Sequence, residues 1–195
     1  VKNKILKAVG KKTMAFLFQE TFMHEIIWHG RGGQGVVVAA QILAEGAYLQ
    51  GYKGVTSAPT FGPERRGAPL TASTRISDTP LRTFSQLEHA DIAVVLDSSL
   101  VKVVDIQSSI KEGGLIIINT DLPPDAFQLR SGLKIAVVDA VKIALKFHLL
   151  KEGAPIVNTP LLGAFARAAG LVSLEYIEKG LKKKLSAKVV AANSM

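Results

Sequence analysis

Six consecutive residues, Gly30-Arg31-Gly32-Gly33-Gln34-Gly35, carry the clearest chemical signal in this chain. Gly30, Gly32 and Gly35 stand at G-x-G-x-x-G spacing, the pattern of a phosphate-binding turn. Glycine allows positive φ and close approach of backbone to a ligand. The first N–H groups of a following helix lack intrahelical partners and sit at the positive end of its dipole, so an anion is favoured there. That chemistry requires a strand before the turn and a helix after it. Ile26-Ile27-Trp28 supplies a short apolar run before. Val36, Val37, Ala40, Leu43, Ala44 and Ala47 supply apolar residues at helical spacing after.

A nicotinamide-binding unit also needs an acidic residue about 20 positions further on, for the ribose hydroxyl. No Asp or Glu occurs between Glu45 and Glu64, and Thr56 and Ser57 occupy the corresponding region. The turn therefore reads as phosphate-binding with little support for NAD. The neighbouring His29 titrates near neutrality when unperturbed, so both a structural and a catalytic role stay open for it.

A second chemically loaded stretch is Thr60-Phe61-Gly62-Pro63-Glu64-Arg65-Arg66-Gly67-Ala68-Pro69. Its glycines and prolines predict a loop. One reading is a solvated turn in which Glu64 pairs with an arginine. The other is a ligand or interface loop using Phe61, Glu64, Arg65 and Arg66, with an arginine making bidentate contacts to carboxylate or phosphate.

The elements that position these residues alternate strand and helix. A short strand ends at Pro59. Residues 70–76 alternate as a strand with one wet face, and 81–83 are expected to pair back on it. Ile92 to Leu96 reads as a central strand buried on both faces. A helix is expected from Ser98 or Ser99 to Gly113-Gly114. Strands follow at 115–118 and 134–138, then a helix over 141–150 and a turn at 152–155. Another helix runs to Ala169, with Thr159 as its cap ahead of Pro160. A last helix opens near Ser173. The pattern predicts an α/β fold, a Rossmann-like doubly wound, largely parallel sheet with helices on both faces. Ligands of such sheets bind beyond the carboxyl ends of the strands. Gly30 to Gly35, Ser57, Asp97, Asn119 and Asp139 fall there, the two aspartates reading either as catalytic acids or bases or, favoured here, as residues that cap or hydrogen-bond neighbouring turns.

Bulk properties narrow the partners. A chain of 195 residues is long enough for one domain with a sizeable core. The net charge of +8 sits at the ends: residues 1–22 hold five lysines and one glutamate, and residues 179–195 five lysines and no acid. That distribution reads as solvated tails, not a nucleic-acid surface. No apolar run reaches the roughly 20 residues that span a bilayer. The chain has no cysteine, which excludes disulfides and thiolate-held clusters on it and fits a reducing, cytoplasmic setting. Residues 1–22 read as an extension before a domain of residues 23–195, with Met23 a candidate natural start. No nucleophile elbow, Walker lysine or metal-spaced cluster occurs, so no catalytic residue or metal site is assigned.

Several motifs in order resemble one family. They are Ile27-Trp28-His29-Gly30-Arg31-Gly32-Gly33-Gln34-Gly35, Phe61 to Pro69, Val94-Val95-Leu96-Asp97, Ile117-Ile118-Asn119-Thr120, Val137-Val138-Asp139-Ala140 and Asn158-Thr159-Pro160-Leu161-Leu162-Gly163-Ala164. The chain is similar over about residues 24–185 to the gamma subunit of 2-oxoacid:ferredoxin oxidoreductases, the pyruvate and 2-ketoisovalerate members fitting best. The resemblance implies a multi-subunit enzyme with alpha, beta and delta-type partners and ferredoxin as electron acceptor. Thiamine diphosphate and iron–sulfur clusters would lie on the partners. On this chain it implies help in binding coenzyme A, through Gly30, Arg31, Gly32, Gly33, Gln34, Gly35 and Asn158. Two other readings remain: a stand-alone Rossmann-type NAD or FAD oxidoreductase, and a purely structural adaptor.

Overall fold

The computed structural model describes residues 22–59, 66–82 and 87–185. The apolar run ahead of the glycines forms strand β1 (Met23–Arg31), and the periodic segment after them forms helix α1 (Val36–Gln50). Strands β2 (Gly54–Pro59), β3 (Pro69–Ser77) and β4 (Ala90–Val95) follow. Then come a short helix α2 (Leu100–Val103), β5 (Ile110–Asn119) and β6 (Lys134–Val138). Helix α3 (Ala140–Lys146), the short strands β7 (Leu150–Lys151) and β8 (Ala154–Pro155), α4 (Asn158–Ala169) and α5 (Leu174–Lys184) complete the described chain.

Six strands form one sheet in the order β2-β3-β1-β4-β5-β6. β1, β4, β5 and β6 run parallel, and β3 is antiparallel to both of its neighbours. The α/β class and the largely parallel sheet are thus as the alternation predicts, but the faces are covered unequally. Ile26, Trp28, Ile76, Val94 and Ile117 pack beneath Leu43 of α1, Phe165 of α4 and Ile177 of α5. The opposite face carries Ala93, Val95, Ile116 and Ile118 against Leu100 of α2 and Ile106. Trp28 is fully buried, donates from Nε1 to Thr74 Oγ1 at 3.1 Å and stacks on Phe165 at 6.1 Å between centroids. It fixes β1 against β3 and α4 together, so the strand that delivers the glycine turn is firmly seated.

Four local expectations are corrected. Residues 81 and 82 form no hairpin with β3, because both edges of β3 are already hydrogen-bonded, to β1 and β2. The helix expected over 98–113 is reduced to α2 and a single 3-10 turn at Gln107–Ser109. Ser108 and Ser109 donate their hydroxyls to the carbonyls of Asp105 and Ile106, and such side-chain bonds compete with helix. β5 instead begins at Ile110 and bulges through Gly113-Gly114, so that Ala90 and Ile92 of β4 pair with Ile110 and Leu115. The helix expected over 141–150 ends at Lys146, where His148 turns to φ 54°. Finally, α4 begins at Asn158, so Thr159 lies inside its first turn and caps nothing.

Candidate functional site

The glycine turn is held by its own polar groups. Gly35 takes φ 79° at the N-terminus of α1, and a Cβ there would run into the side-chain amide of Asn158. Asn158 Nδ2 donates to the Gly35 carbonyl at 3.2 Å. Gly32 N–H donates to Ala68 O at 2.9 Å and Gly67 N–H returns to Gly32 O at 3.1 Å, so the 66–68 segment clamps the turn. Gln34 is folded inward, its Oε1 accepting from Arg31 N at 2.8 Å. Gly33 is the exposed member, at φ 96°. No side chain caps α1 and its first turn has no acidic residue, so its free N–H groups and positive dipole end are left for an anion.

Arg31 has three of its five N–H donors engaged within the protein. Its Nε donates to Asp97 Oδ2 at 2.9 Å, Nη1 to Gly67 O at 3.1 Å and Nη2 to Ser99 Oγ at 2.9 Å. Burial alone would raise the Asp97 pKa, but hydrogen bonds from Ser99, Arg31 and Gln34 outweigh it and hold the carboxyl below its usual range. Asp139 caps α3 by accepting from Lys142 N at 2.8 Å. Asn119 donates to Leu96 O and accepts from Ala140 N, both at 2.9 Å, tying two strand ends to α3. These strand-end groups are architectural, as expected for the two aspartates.

A broad, solvent-open cleft of about 2100 Å³ lies over this carboxyl edge. It is lined by Gly32 to Val38, Asp97, Asn119, Asp139, Asn158 and Thr159, among others, whereas Ser57 and Gly30 do not line it. Arg66, Lys142 and Lys151 bring cations to its walls. Arg66 and Glu152 meet across it at 3.3 Å, both largely exposed. Phe61, Glu64 and Arg65 lie outside the described residues. His29, Asn158 and Thr159 are only 4%, 6% and 9% exposed, and His29 Nε2, Asn158 Oδ1 and Thr159 Oγ1 have no hydrogen-bond partner among the described residues. All three residues line the cleft. Burial lowers the His29 pKa to about 4, so its imidazole is neutral at physiological pH. Sequence reasoning missed the cleft role of Thr159. The local Thr-Pro signal points to a cap, and only the seating of Asn158 on Gly35 starts the helix earlier.

Among the described residues no group of His, Asp and Glu is placed to hold a metal ion. Nor is any helix long and apolar enough to cross a membrane. What the site offers is an anion-ready helix terminus with buried hydrogen-bonding groups beside it.

The model of the pyruvate ferredoxin/flavodoxin oxidoreductase family matches residues 25–195. The chain belongs to this family. It is 46% identical over 175 residues to the pyruvate/ketoisovalerate oxidoreductases common subunit gamma of Thermococcus litoralis, covering 88% of this chain and 92% of that one. The crystal structure of pyruvate oxidoreductase subunit PORC from Thermotoga maritima superposes with a TM-score of 0.72 at 38% identity, over 88% of this chain and 90% of that one. The 2-oxoglutarate:ferredoxin oxidoreductase of Magnetococcus marinus, solved with 2-oxoglutarate, coenzyme A and succinyl-CoA bound, shares the fold alone. Its TM-score is 0.67 at 18% identity, over 88% of this chain and 29% of that longer one. Within the family this chain is a gamma-type subunit of a 2-oxoacid:ferredoxin oxidoreductase, a multisubunit oxidoreductase.

Proposed function

We propose that this chain helps the complex to bind coenzyme A. Alpha, beta and delta-type subunits would carry thiamine diphosphate and the iron–sulfur clusters, with ferredoxin as electron acceptor. The setting is cytoplasmic, and the unit that takes this role is residues 23–195, after an extension at 1–22. The assembled reaction is oxidative decarboxylation of a 2-oxoacid, pyruvate foremost, to acyl-CoA and CO2. Coenzyme A supplies the thiol that takes the acyl group.

The observation that carries this reading is the uncapped N-terminus of α1, opening into the cleft at the glycine turn. Gly33 and the first N–H groups of α1 would meet a phosphate of the ligand. Gly30, Arg31, Gly32, Gln34 and Gly35 would shape the turn, since their polar groups or space are already used within it. Asn158 would border the ligand from α4. The loop with Phe61, Glu64, Arg65 and Arg66 would contact ligand or a partner subunit, Arg66 from the cleft wall.

The test is calorimetric titration of coenzyme A into the reconstituted complex carrying Gly33→Asp, with Gly33→Ala as a control for backbone strain. A Cβ at Gly33 meets little, its nearest neighbour being the Arg66 side chain at 3.9 Å. Gly33→Asp should weaken binding at least about tenfold beyond Gly33→Ala, the cost of a carboxylate where a phosphate belongs. Equal affinity of the two variants would remove the turn as the seat of the phosphate.

A further inference from the structure

The short hairpin of β7 and β8 stands at the cleft wall with a costly backbone. Among the described residues only His148, at φ 54°, and Glu152, at φ 51°, take positive φ without being glycine. His148 leads into β7. Glu152 and Gly153, the latter at φ 79°, form the two-residue turn between β7 and β8. A turn with positive φ at both central residues suits Asn, Asp or Gly. A glutamate there costs conformational energy that glycine would not. What the glutamate adds is reach: its Oε2 accepts from Arg66 Nη2 at 3.3 Å, across the cleft.

Arg66 is the cleft cation rooted at the glycine turn. Its backbone pairs with Gly32, and a Cβ on Gly33 would meet its side chain at 3.9 Å. The other two cations of the walls, Lys142 and Lys151, belong to α3 and to the hairpin. The hairpin carboxylate thus already holds the cation that stands beside Gly33.

We propose that the Arg66–Glu152 bridge is an autoinhibitory contact. Glu152 occupies the cation that a phosphate of the ligand takes, and the ligand binds by displacing it. The inference rests on the coenzyme A reading above. Both side chains are solvent-exposed, so the bridge is weak and opens readily. The carboxylate is part of the same chain, so it is always present as a competitor. Any ligand that needs Arg66 is weakened by the fraction of time the bridge is closed. A phosphate that also contacts the N-terminus of α1 outcompetes the lone carboxylate.

The experiment is calorimetric titration of coenzyme A into the reconstituted complex carrying Glu152→Gln, Arg66→Ala or both. Glu152→Gln keeps the side-chain length and removes the charge. It should tighten coenzyme A about twofold, the worth of an exposed pair. Arg66→Ala should weaken it at least about threefold, as for a charge-assisted contact discounted for exposure. In the Arg66→Ala background Glu152→Gln should add nothing. Asp121→Asn removes another exposed carboxylate of the cleft and should not tighten binding. The inference is overturned if Glu152→Gln leaves coenzyme A at or below wild-type affinity, or if its gain survives in the Arg66→Ala background. It is overturned equally if Asp121→Asn gives the same gain, which would assign the effect to net charge. In each of these cases a Gly33→Asp variant that still weakens coenzyme A leaves the coenzyme A reading standing. A wild-type complex that does not bind coenzyme A would sink that reading, and this inference with it.

Discussion

His29 shows how one buried side chain links the site to stability. Its imidazole is kept neutral by burial, with a pKa of about 4, while the unfolded chain binds that proton from about pH 6.5 downward. The folded pKa is depressed, so protons favour the unfolded state as the pH falls between those two values. Denaturant unfolding of the isolated chain should therefore show a loss of about 2 kcal/mol from pH 7 to pH 5 that is absent in His29→Leu. An unchanged slope in the variant would assign the loss to other groups. Asp97 acts lower: its stabilising contribution is complete above the ordinary carboxylate range and is lost only as the pH drops below it. The unpartnered oxygens of Asn158 and Thr159 each carry a desolvation cost of about 1–3 kcal/mol, offset elsewhere in the fold.

At the scale of elements, the turn depends on how closely α1, α4 and α5 approach one another. Gly46 of α1 and Gly180 of α5 face each other: a Cβ at Gly180 would lie 2.7 Å from Ile42 O and 3.0 Å from Gly46 N. Gly180→Val should therefore lower stability by about 2–3 kcal/mol through overpacking, read as a drop in denaturation midpoint at unchanged m-value. A neutral result would mean that α5 can slide off α1 freely. Elements with a strong period were legible in the sequence, as α1, β4 and α4 show. The segment after Asp97 was not. Its spacing allows a helix, but Ser108 and Ser109 bond to nearby backbone carbonyls, and the glycines that looked like a helix stop form a bulge inside β5. The strand expected at 81–83 is not formed at residues 81 and 82 for a non-local reason, since nothing near them in sequence reveals that β3 is flanked on both sides.

At the scale of the whole molecule, the basic charge of the C-terminal helix is partly spent on the protein itself. Lys179 and Lys182 pair with Glu175 and Glu178 one turn earlier, and Lys183 reaches Glu45 of α1 at 3.1 Å. The cleft is bridged by Arg66 and Glu152, whose side chains are 84% and 65% exposed. A pair that open is worth little, so Glu152→Gln should move stability by less than about 0.5 kcal/mol. A larger loss by thermal melting would show that the bridge holds the cleft walls together. The sequence by itself determined the strand–turn–helix unit, the phosphate-ready glycines, the missing ribose acid and the family, because these depend on neighbours within a few positions or on ordered motifs. Only the tertiary structure decided which polar groups remain available. Arg31 and Gln34 look like ligand contacts in the sequence, yet three Arg31 donors are taken by Asp97, Gly67 and Ser99, and the Gln34 amide bonds to Arg31 N nearby and to the distant Asp97. Thr159 looks like a cap, yet Asn158, anchored on Gly35 across 123 positions of chain, leaves its hydroxyl free beside the cleft. Hydrogen-bond capacity is set locally by residue type, but whether it is spent depends on which distant segment arrives first in space.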